Sequence, residues 1–318
     1  MCKESKGKNF QMCSNGSHLA ITIVIFAFMV SCTTQTVMPD EVSTELGVDG
    51  VVASEDQNDL QQEIHILPPE PSKVVFQSLD GVELQGVYYP SGEINAPLVV
   101  LAHWAQGDQT DWMEIAYWLQ NRGLSGKTED SKGKPWLDSS WFPEMTLKHS
   151  FAVFTFDFRG CSGGCKSFDR EKWLLDAQAA AAFAQSIEGV DRDQIAFVGA
   201  SIGADGAADG CLYLNSLSQG ACKGAFSLSP GNYLILDYPQ VIEDLNSVSP
   251  AVPAWCIYSE DDAESFKVCD GINASNFKGI VYKSGTVSGF PHGMNLIQPS
   301  INPNPLLLML DFLDSVID

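Results

Sequence analysis

Apolar and polar residues alternate in one early part of the chain. The alternation runs between Lys73 and Tyr89, on either side of Asp80-Gly81. Alternation of this kind is typical of strands with one buried face, and Asp-Gly between two such runs is a strong signal for a tight turn. We therefore predict an antiparallel hairpin over residues 73–89.

Beyond the hairpin, the apolar residues come in short continuous runs. The run Pro97–His103 is typical of a strand that is buried on both faces of a parallel sheet. Similar runs predict further strands at 151–156, 194–198, 225–228, 254–258 and 279–282. Helices are predicted at 110–120, 169–187, 202–214, 233–245, 263–274 and 306–316. Strands that alternate with helices predict an α/β fold, with a mostly parallel, doubly wound sheet that follows the hairpin.

One segment, residues 124–150, interrupts this alternation. It is mostly polar, yet it contains Trp136, Trp141 and Phe142. Loops of this length inside a domain are usually functional. Two interpretations are open: the aromatic residues form a lid or an acyl-binding wall, or they pin the insertion to the edge of the sheet.

The amino terminus has the pattern of a secretory signal. Three lysines within the first eight residues precede an apolar run of 12 residues, Leu19–Val30. A membrane-spanning helix needs about 20 apolar residues, so this run is too short to span a bilayer. The run ends in Val30-Ser31-Cys32, which resembles a bacterial lipobox. Residues 1–31 are then a signal peptide and Cys32 is lipidated; an ordinary signal peptide cleaved near Ser31 is the alternative.

Residues 32–72 are predicted to form a disordered tether between the membrane and the domain. Residues 33–72 contain nine acidic residues and neither lysine nor arginine, a composition that does not build a hydrophobic core. Acyl chains on Cys32 would anchor the protein to a membrane. The resemblance to lipoproteins implies the outer membrane in a Gram-negative host, because Thr33 and not aspartate follows the cysteine. The formal net charge of −22 disfavours nucleic acid and anionic headgroups as partners.

Six of the nine cysteines lie in the predicted domain. An even number in an exported protein indicates disulfides. Proximity along the chain favours Cys161–Cys165, Cys211–Cys222 and Cys256–Cys269, although other pairings are possible. A catalytic thiol is less favoured, and no second cysteine pair stands at the spacing of a zinc site. No metal ion and no other cofactor is predicted.

The pattern G-x-S-x-G of a serine nucleophile occurs twice. Gly199–Gly203 directly follows an apolar strand and leads directly into a predicted helix. Gly160–Gly164 lies beyond the end of its strand and finishes in two glycines, which are poor helix formers. A nucleophile elbow requires the strand-turn-helix context, so we predict Ser201 and not Ser162 as the nucleophile. This arrangement resembles the elbow of the α/β-hydrolase superfamily.

A serine nucleophile needs a base, and the base needs a carboxylate to orient it. In the α/β-hydrolase superfamily they follow in the order Ser, Asp or Glu, His. His292 is the only histidine after Ser201. The acid is expected after the strand at 254–258, where Glu260, Asp261 and Asp262 are adjacent. The spacing in the superfamily favours Asp262, with Asp261 as the alternative.

An acyl-transfer site also needs N–H donors for the oxyanion that develops on the carbonyl. The Ile202 amide, at the start of the helix after the elbow, is the first expected donor. The second is expected in the loop after Pro97–His103, where the Ala105 amide is preferred and the Trp104 amide is the alternative. His103 matches a structural histidine of the superfamily, which implies that it braces this loop.

The resemblance covers residues 73–318 and is strongest to dienelactone-hydrolase-like and esterase-like members. It also rests on Asp157-Phe158-Arg159-Gly160 and Pro291-His292-Gly293. The chain departs from it at Trp104, where many members have glycine. The resemblance implies a serine hydrolase that cleaves a small-molecule carboxylic ester through an acyl-enzyme, and the amino-terminal pattern adds that this enzyme is exported and membrane-anchored. The alternatives are a non-catalytic binding module on the same fold, a peptidase or a thioesterase.

Overall fold

The structure is a computed structural model that describes residues 67–122, 131, 133–145 and 150–317. All of them belong to one unit of the chain, residues 62–318. The predicted signal peptide, Cys32 and most of the predicted tether lie outside the described residues. Within the described part of the chain, no helix is long and apolar enough to cross a membrane.

The described residues form a sheet of eight strands in the order β1-β2-β4-β3-β5-β6-β7-β8. β2 pairs antiparallel with β1 and with β4, and every other neighbouring pair is parallel. The predicted hairpin and the mostly parallel sheet are confirmed. The strands are β1 Ser72–Gln77, β2 Glu83–Tyr89, β3 Ala96–Ala102, β4 Ala152–Phe156, β5 Val190–Ala200, β6 Cys222–Leu228, β7 Ala254–Ser259 and β8 Phe277–Tyr282.

Helices cover both faces of the sheet. They are α1 Met113–Leu119, α2 Arg170–Ala184, α3 Ile202–Leu217, α4 Tyr238–Ser247, α5 Ala263–Cys269 and α6 Pro305–Val316. One hydrophobic core contains the buried residues of α2, α3, α4 and α5, and a second contains those of α1 and α6. The central strands contribute to both cores, which explains their continuous apolar runs.

The largest departures from the predicted helix bounds are at the start of α4 and at the end of α5. α4 begins at Tyr238 and not at Tyr233, because Pro239 lies in its first turn and a helix does not continue through proline toward the amino terminus. α5 ends at Cys269, shortly before Gly271, a residue that destabilises helices. Residues 233–237, which the sequence pattern placed in this helix, form a loop instead, and this loop contributes to the candidate site.

The amino-terminal boundary of the domain lies before the predicted Lys73. Ser72 is already the first residue of β1. Arg122 Nη1 donates to the carbonyl oxygens of Pro68 and Pro69 at 2.7 and 2.9 Å, and Gln120 Nε2 donates to Pro69 at 3.0 Å. The last residues of the predicted tether therefore pack against the end of α1.

The three predicted disulfides are confirmed. Cys161–Cys165 closes a loop after β4, Cys211–Cys222 joins α3 to β6, and Cys256–Cys269 joins β7 to α5. Two of them therefore link a helix to a strand that carries part of the candidate site.

α3 carries a buried carboxyl group without a full set of partners. Asp209 is 3% exposed, and its Oδ2 has no hydrogen-bond partner among the described residues. Burial raises the pKa of this carboxyl well above its usual value, and the neighbouring Asp205 raises it further. The folded protein therefore holds a proton that the unfolded chain releases above about pH 4.

We expect Asp209→Asn to become progressively more stable than the wild type as the pH rises from 4. Because the native pKa is raised, the wild type loses up to about 1.4 kcal/mol per pH unit relative to a variant that does not titrate. Urea unfolding with the disulfides intact, at intervals between pH 4 and pH 8, measures this difference. The exposed Asp193→Asn makes the same chemical change on the surface and is the matched control. A difference for Asp209→Asn that does not vary with pH would contradict a buried neutral carboxyl.

Candidate active site

Ser201 occupies the sharp turn between β5 and α3, with a backbone φ of 55°. Few residues other than glycine adopt this region, so the turn is strained. The two flanking glycines are required by close packing. A Cβ at Gly199 would lie 1.8 Å from the carbonyl oxygen of Gly203, and a Cβ at Gly203 would lie 2.2 Å from that of Ala102. The glycines of the motif therefore allow the turn to close around Ser201.

His292 contacts both Ser201 and an acidic residue. It follows β8 and directly precedes a 3-10 helix, Gly293–Leu296. Its Nε2 lies 2.8 Å from Ser201 Oγ and its Nδ1 lies 2.7 Å from Asp262 Oδ2. Because a carboxylate only accepts, Nδ1 carries the proton and Nε2 is left to accept from the Ser201 hydroxyl. The structure thus brings Ser201, His292 and Asp262 together in one hydrogen-bonded chain.

Asp262 is the member of the acidic turn that contacts His292. It caps the start of α5, and its Oδ2 also accepts from Ser265 Oγ at 2.7 Å. Burial alone would raise the pKa of Asp262, but the hydrogen bonds from His292 and Ser265 outweigh burial and lower it. The carboxylate is therefore ionised and suited to stabilise a positive charge on His292.

The other two carboxylates of this turn bind elsewhere. Glu260 accepts from Lys283 Nζ at 2.6 Å, and Asp261 accepts from the Ser284 hydroxyl and the Gly285 amide. Both carboxylates therefore accept hydrogen bonds from the turn after β8. Asp261, the alternative acid, therefore has its hydrogen-bond partners in that turn and not in His292.

His103 braces the loop after β3, as expected. Its Nδ1 donates to the Trp104 carbonyl at 2.7 Å, and its Nε2 accepts from the Phe158 amide at 3.1 Å. The side chain is fully buried, and burial lowers its pKa. His103 is thus a neutral structural residue with both ring nitrogens in use.

The two predicted oxyanion donors lie at the ends of neighbouring strands. Ile202 is the first residue of α3, where an amide has no acceptor within the helix. Ala105 follows β3, and its carbonyl accepts from the Cys165 amide at 2.8 Å. The assignment of both amides as oxyanion donors stays a prediction.

Ser162 lies in the loop after β4, as its sequence context predicts. Gly160, Gly163 and Gly164 there have positive φ angles, and the next helix begins only at Arg170. The Gly163 amide donates to Asp108 Oδ2 at 2.7 Å. Together with the bond between Cys165 and Ala105, this contact shows that the second motif supports the loop that carries Ala105.

Solved structures with a similar architecture share little sequence with this chain. An esterase of Pyrococcus furiosus is 18% identical, with 78% of this chain and 91% of that chain covered and a TM-score of 0.51. An esterase of Pyrobaculum calidifontis is 16% identical, with 78% and 87% covered and the same TM-score. The α/β hydrolase GrgF of a Penicillium species is 13% identical, with 78% and 99% covered and a TM-score of 0.50.

The chain has the α/β-hydrolase fold. No protein-family model matches the sequence, and no curated protein matches it in sequence. In this α/β-hydrolase fold, Ser201 follows β5, Asp262 follows β7 and His292 follows β8. Their meeting at the carboxyl edge of the sheet is the usual location of a site in open α/β sheets.

The Trp104 side chain lies next to Ser201. A Cβ placed on Gly293 would lie 3.0 Å from the Trp104 ring and 3.6 Å from the Ser201 Cβ. The indole Nε1 donates to the buried Asp111 at 2.7 Å. This hydrogen bond fixes the orientation of the Trp104 indole next to Ser201.

The described part of the insertion packs against Trp104 and α1, whereas its role as a lid or an acyl-binding wall stays a prediction. Trp136 packs edge-on against Trp104 with 5.5 Å between ring centroids, and Lys134 Nζ binds Asp111 at 2.7 Å. Farther along, Phe142 packs on Trp118 of α1. The insertion therefore packs on α1 through Phe142, and through Trp136 it contacts Trp104, the side chain next to Ser201.

Tyr233 is a site residue that the sequence pattern placed in a helix. Its ring packs edge-on against the His292 ring with 5.7 Å between centroids. The loop is held by buried Asp205, which accepts from the amides of Gly231, Tyr233 and Leu234. Burial raises the pKa of Asp205 to about 7 against the effect of these three hydrogen bonds. Because these partners are distant in sequence, no local pattern signals them.

Proposed function

We propose that this protein is a serine hydrolase that cleaves carboxylic esters through an acyl-enzyme on Ser201. The observation that supports it most is the hydrogen-bonded chain from Asp262 through His292 to Ser201. A serine alone is a poor nucleophile, and this arrangement supplies both the base and the group that orients the base. The names of two structures with the same fold, both esterases, favour an ester as the substrate.

In this proposal, His292 Nε2 takes the hydroxyl proton while Ser201 Oγ bonds to the substrate carbonyl carbon. Asp262 stabilises the imidazolium that forms. The Ile202 and Ala105 amides bind the oxyanion. When the ester C–O bond breaks, its electron pair goes to the alcohol oxygen, which takes the proton from Nε2. A water molecule, deprotonated in turn by His292, then releases the acid and restores Ser201.

Active-site labelling tests the proposed nucleophile. The full-length protein should react covalently with a fluorophosphonate probe and hydrolyse p-nitrophenyl acetate. Ser201→Ala should lose the label and at least about 10⁴-fold of kcat. The matched control is Ser162→Ala, which removes the serine of the other G-x-S-x-G sequence and should label and react like the wild type. An unlabelled wild type that does not turn over esters would overturn the proposal and favour a binding module.

The proposed enzyme is exported and anchored through a lipid on Cys32. The lipobox-like sequence supports this location, and so do the three disulfides, because disulfides persist in oxidising compartments. Fractionation of the producing cells tests the anchor. The wild type should sediment with membranes and incorporate labelled palmitate, and Cys32→Ala should incorporate none; a wild type without the label would refute the anchor.

A further inference from the structure

We propose that Tyr233 and Phe290 form the binding site for the alcohol portion of the substrate, and that the preferred esters carry an aromatic alcohol without negative charge. This inference rests on the proposed function and specifies its substrate class. It concerns the group that leaves, and not the acyl group that stays on Ser201.

The direction of proton transfer locates the alcohol. When the ester C–O bond breaks, the alcohol oxygen receives the proton from His292 Nε2, so this oxygen must lie within hydrogen-bond distance of Nε2. The remainder of the alcohol then extends over the residues that surround His292. The side chains next to the His292 ring therefore determine which alcohols are accepted.

Two aromatic rings from different loops contact the His292 ring. Tyr233, in the loop after β6, packs edge-on at 5.7 Å between centroids. Phe290, in the loop after β8, lies at 5.5 Å with an angle of 43° between the ring planes. Aromatic rings prefer other aromatic rings in offset or edge-on contact at these separations. An aromatic alcohol bound beside His292 would extend this cluster.

The two rings differ in exposure, which suits a preformed subsite with one open side. Tyr233 is held by the hydrogen bonds of its loop to Asp205 and by a 3.3 Å contact between its hydroxyl and Glu264. A Cβ on Gly231 would lie 2.3 Å from the Tyr233 ring, so the backbone also supports this ring closely. Phe290 is 58% exposed although it adjoins buried His292. It offers apolar surface that a bound ligand would cover.

The charges around the subsite disfavour an anionic alcohol portion. Glu264 accepts from the Tyr233 hydroxyl, and Asp262 accepts from His292 Nδ1. The formal charge of the whole chain is −22. Negative ligands are repelled by such surroundings, whereas a neutral aromatic group has no charge to repel and gains the ring contacts.

Two esters that share an acetyl group isolate the contribution of the alcohol. Benzyl acetate and methoxyethyl acetate form the same acetyl-enzyme, so their kcat/KM values differ only through binding and acylation. The wild type should prefer benzyl acetate, and Phe290→Ala should reduce the ratio of the two kcat/KM values by about fivefold or more. Phe168→Ala is the matched control. Phe168 is 59% exposed and packs against Trp173, so this variant should keep the wild-type ratio.

A second pair of esters distinguishes the alcohol side from the acyl side. Benzyl acetate and benzyl butyrate share the alcohol, and the ratio of their kcat/KM values should be the same in Phe290→Ala and the wild type. The inference would be overturned by an unchanged alcohol ratio in Phe290→Ala, or by a change in the acyl ratio alone. If no ester reacts and Ser201 is not labelled, the proposed function fails together with the inference. If esters react without these ratio changes, only the inference fails.

Discussion

Replacing Asp262 by asparagine should lower kcat by about 10⁴-fold while the protein stays folded. Asparagine has nearly the same shape and is also a good N-cap for α5. However, its amide group can donate to His292 Nδ1, and this donation favours the tautomer with the proton on Nε2. A protonated Nε2 cannot accept from Ser201 Oγ, so the nucleophile loses its base. Steady-state kinetics with p-nitrophenyl acetate and a thermal unfolding profile measure the two parts of this result.

The neighbouring acid supplies the control for Asp262. Asp261 binds the Ser284 hydroxyl and the Gly285 amide. Asp261→Asn makes the same chemical change one residue away, and we expect little change in kcat. Equal losses in the two variants would show that the acidic turn acts only by supporting the fold, and they would remove Asp262 from the proposed mechanism.

Replacing Gly199 by alanine should destabilise the protein by about 3 kcal/mol or more and abolish activity. The added Cβ would lie 1.8 Å from the Gly203 carbonyl oxygen. β5 cannot move away easily, because it is hydrogen-bonded to β3 on one side and to β6 on the other. Relief of the collision requires α3 to shift, and Ser201 lies at the point where α3 begins. Urea unfolding and fluorophosphonate labelling measure the two effects.

Gly271 gives the matched control for Gly199. Among the described residues, no atom other than those of Gly271 and its two chain neighbours lies within 4 Å of the position that a Cβ on Gly271 would take. Gly271→Ala should therefore change the free energy of unfolding by no more than about 0.5 kcal/mol and leave labelling intact. A Gly199→Ala protein as stable and reactive as this control would mean that the turn tolerates a side chain.

Much of the sheet could be predicted because its signals are local. The alternation around Asp80-Gly81 specified a hairpin, and the continuous apolar runs specified buried parallel strands. The predicted helices also exist. The errors lie at their ends, as at α4, where Pro239 and the bonds between Asp205 and the preceding loop decide the first helical residue. Helix ends depend on such tertiary partners, so a periodic pattern alone locates them poorly.

The candidate site was only partly predictable for the same reason. Chain order pointed to His292, since no other histidine follows Ser201. Nothing in the order of Glu260, Asp261 and Asp262 shows which side chain points toward His292, because adjacent residues in a turn point in different directions. Asp205, Tyr233 and Phe290 carried no signal at all, since their roles consist of contacts with residues far away in the chain.

The sequence by itself determined the type of fold, the two candidate nucleophiles and the preference between them, and the only histidine in the right order. These features follow from local periodicity, from the steric needs of a strand-turn-helix junction and from the linear order of the chain. Only the tertiary structure decided that Asp262 contacts His292, that Trp104 lies beside Ser201, and that two aromatic rings surround His292. Such contacts arise when loops from separate strands meet at one edge of the sheet, and neither spacing nor composition encodes how those loops face each other.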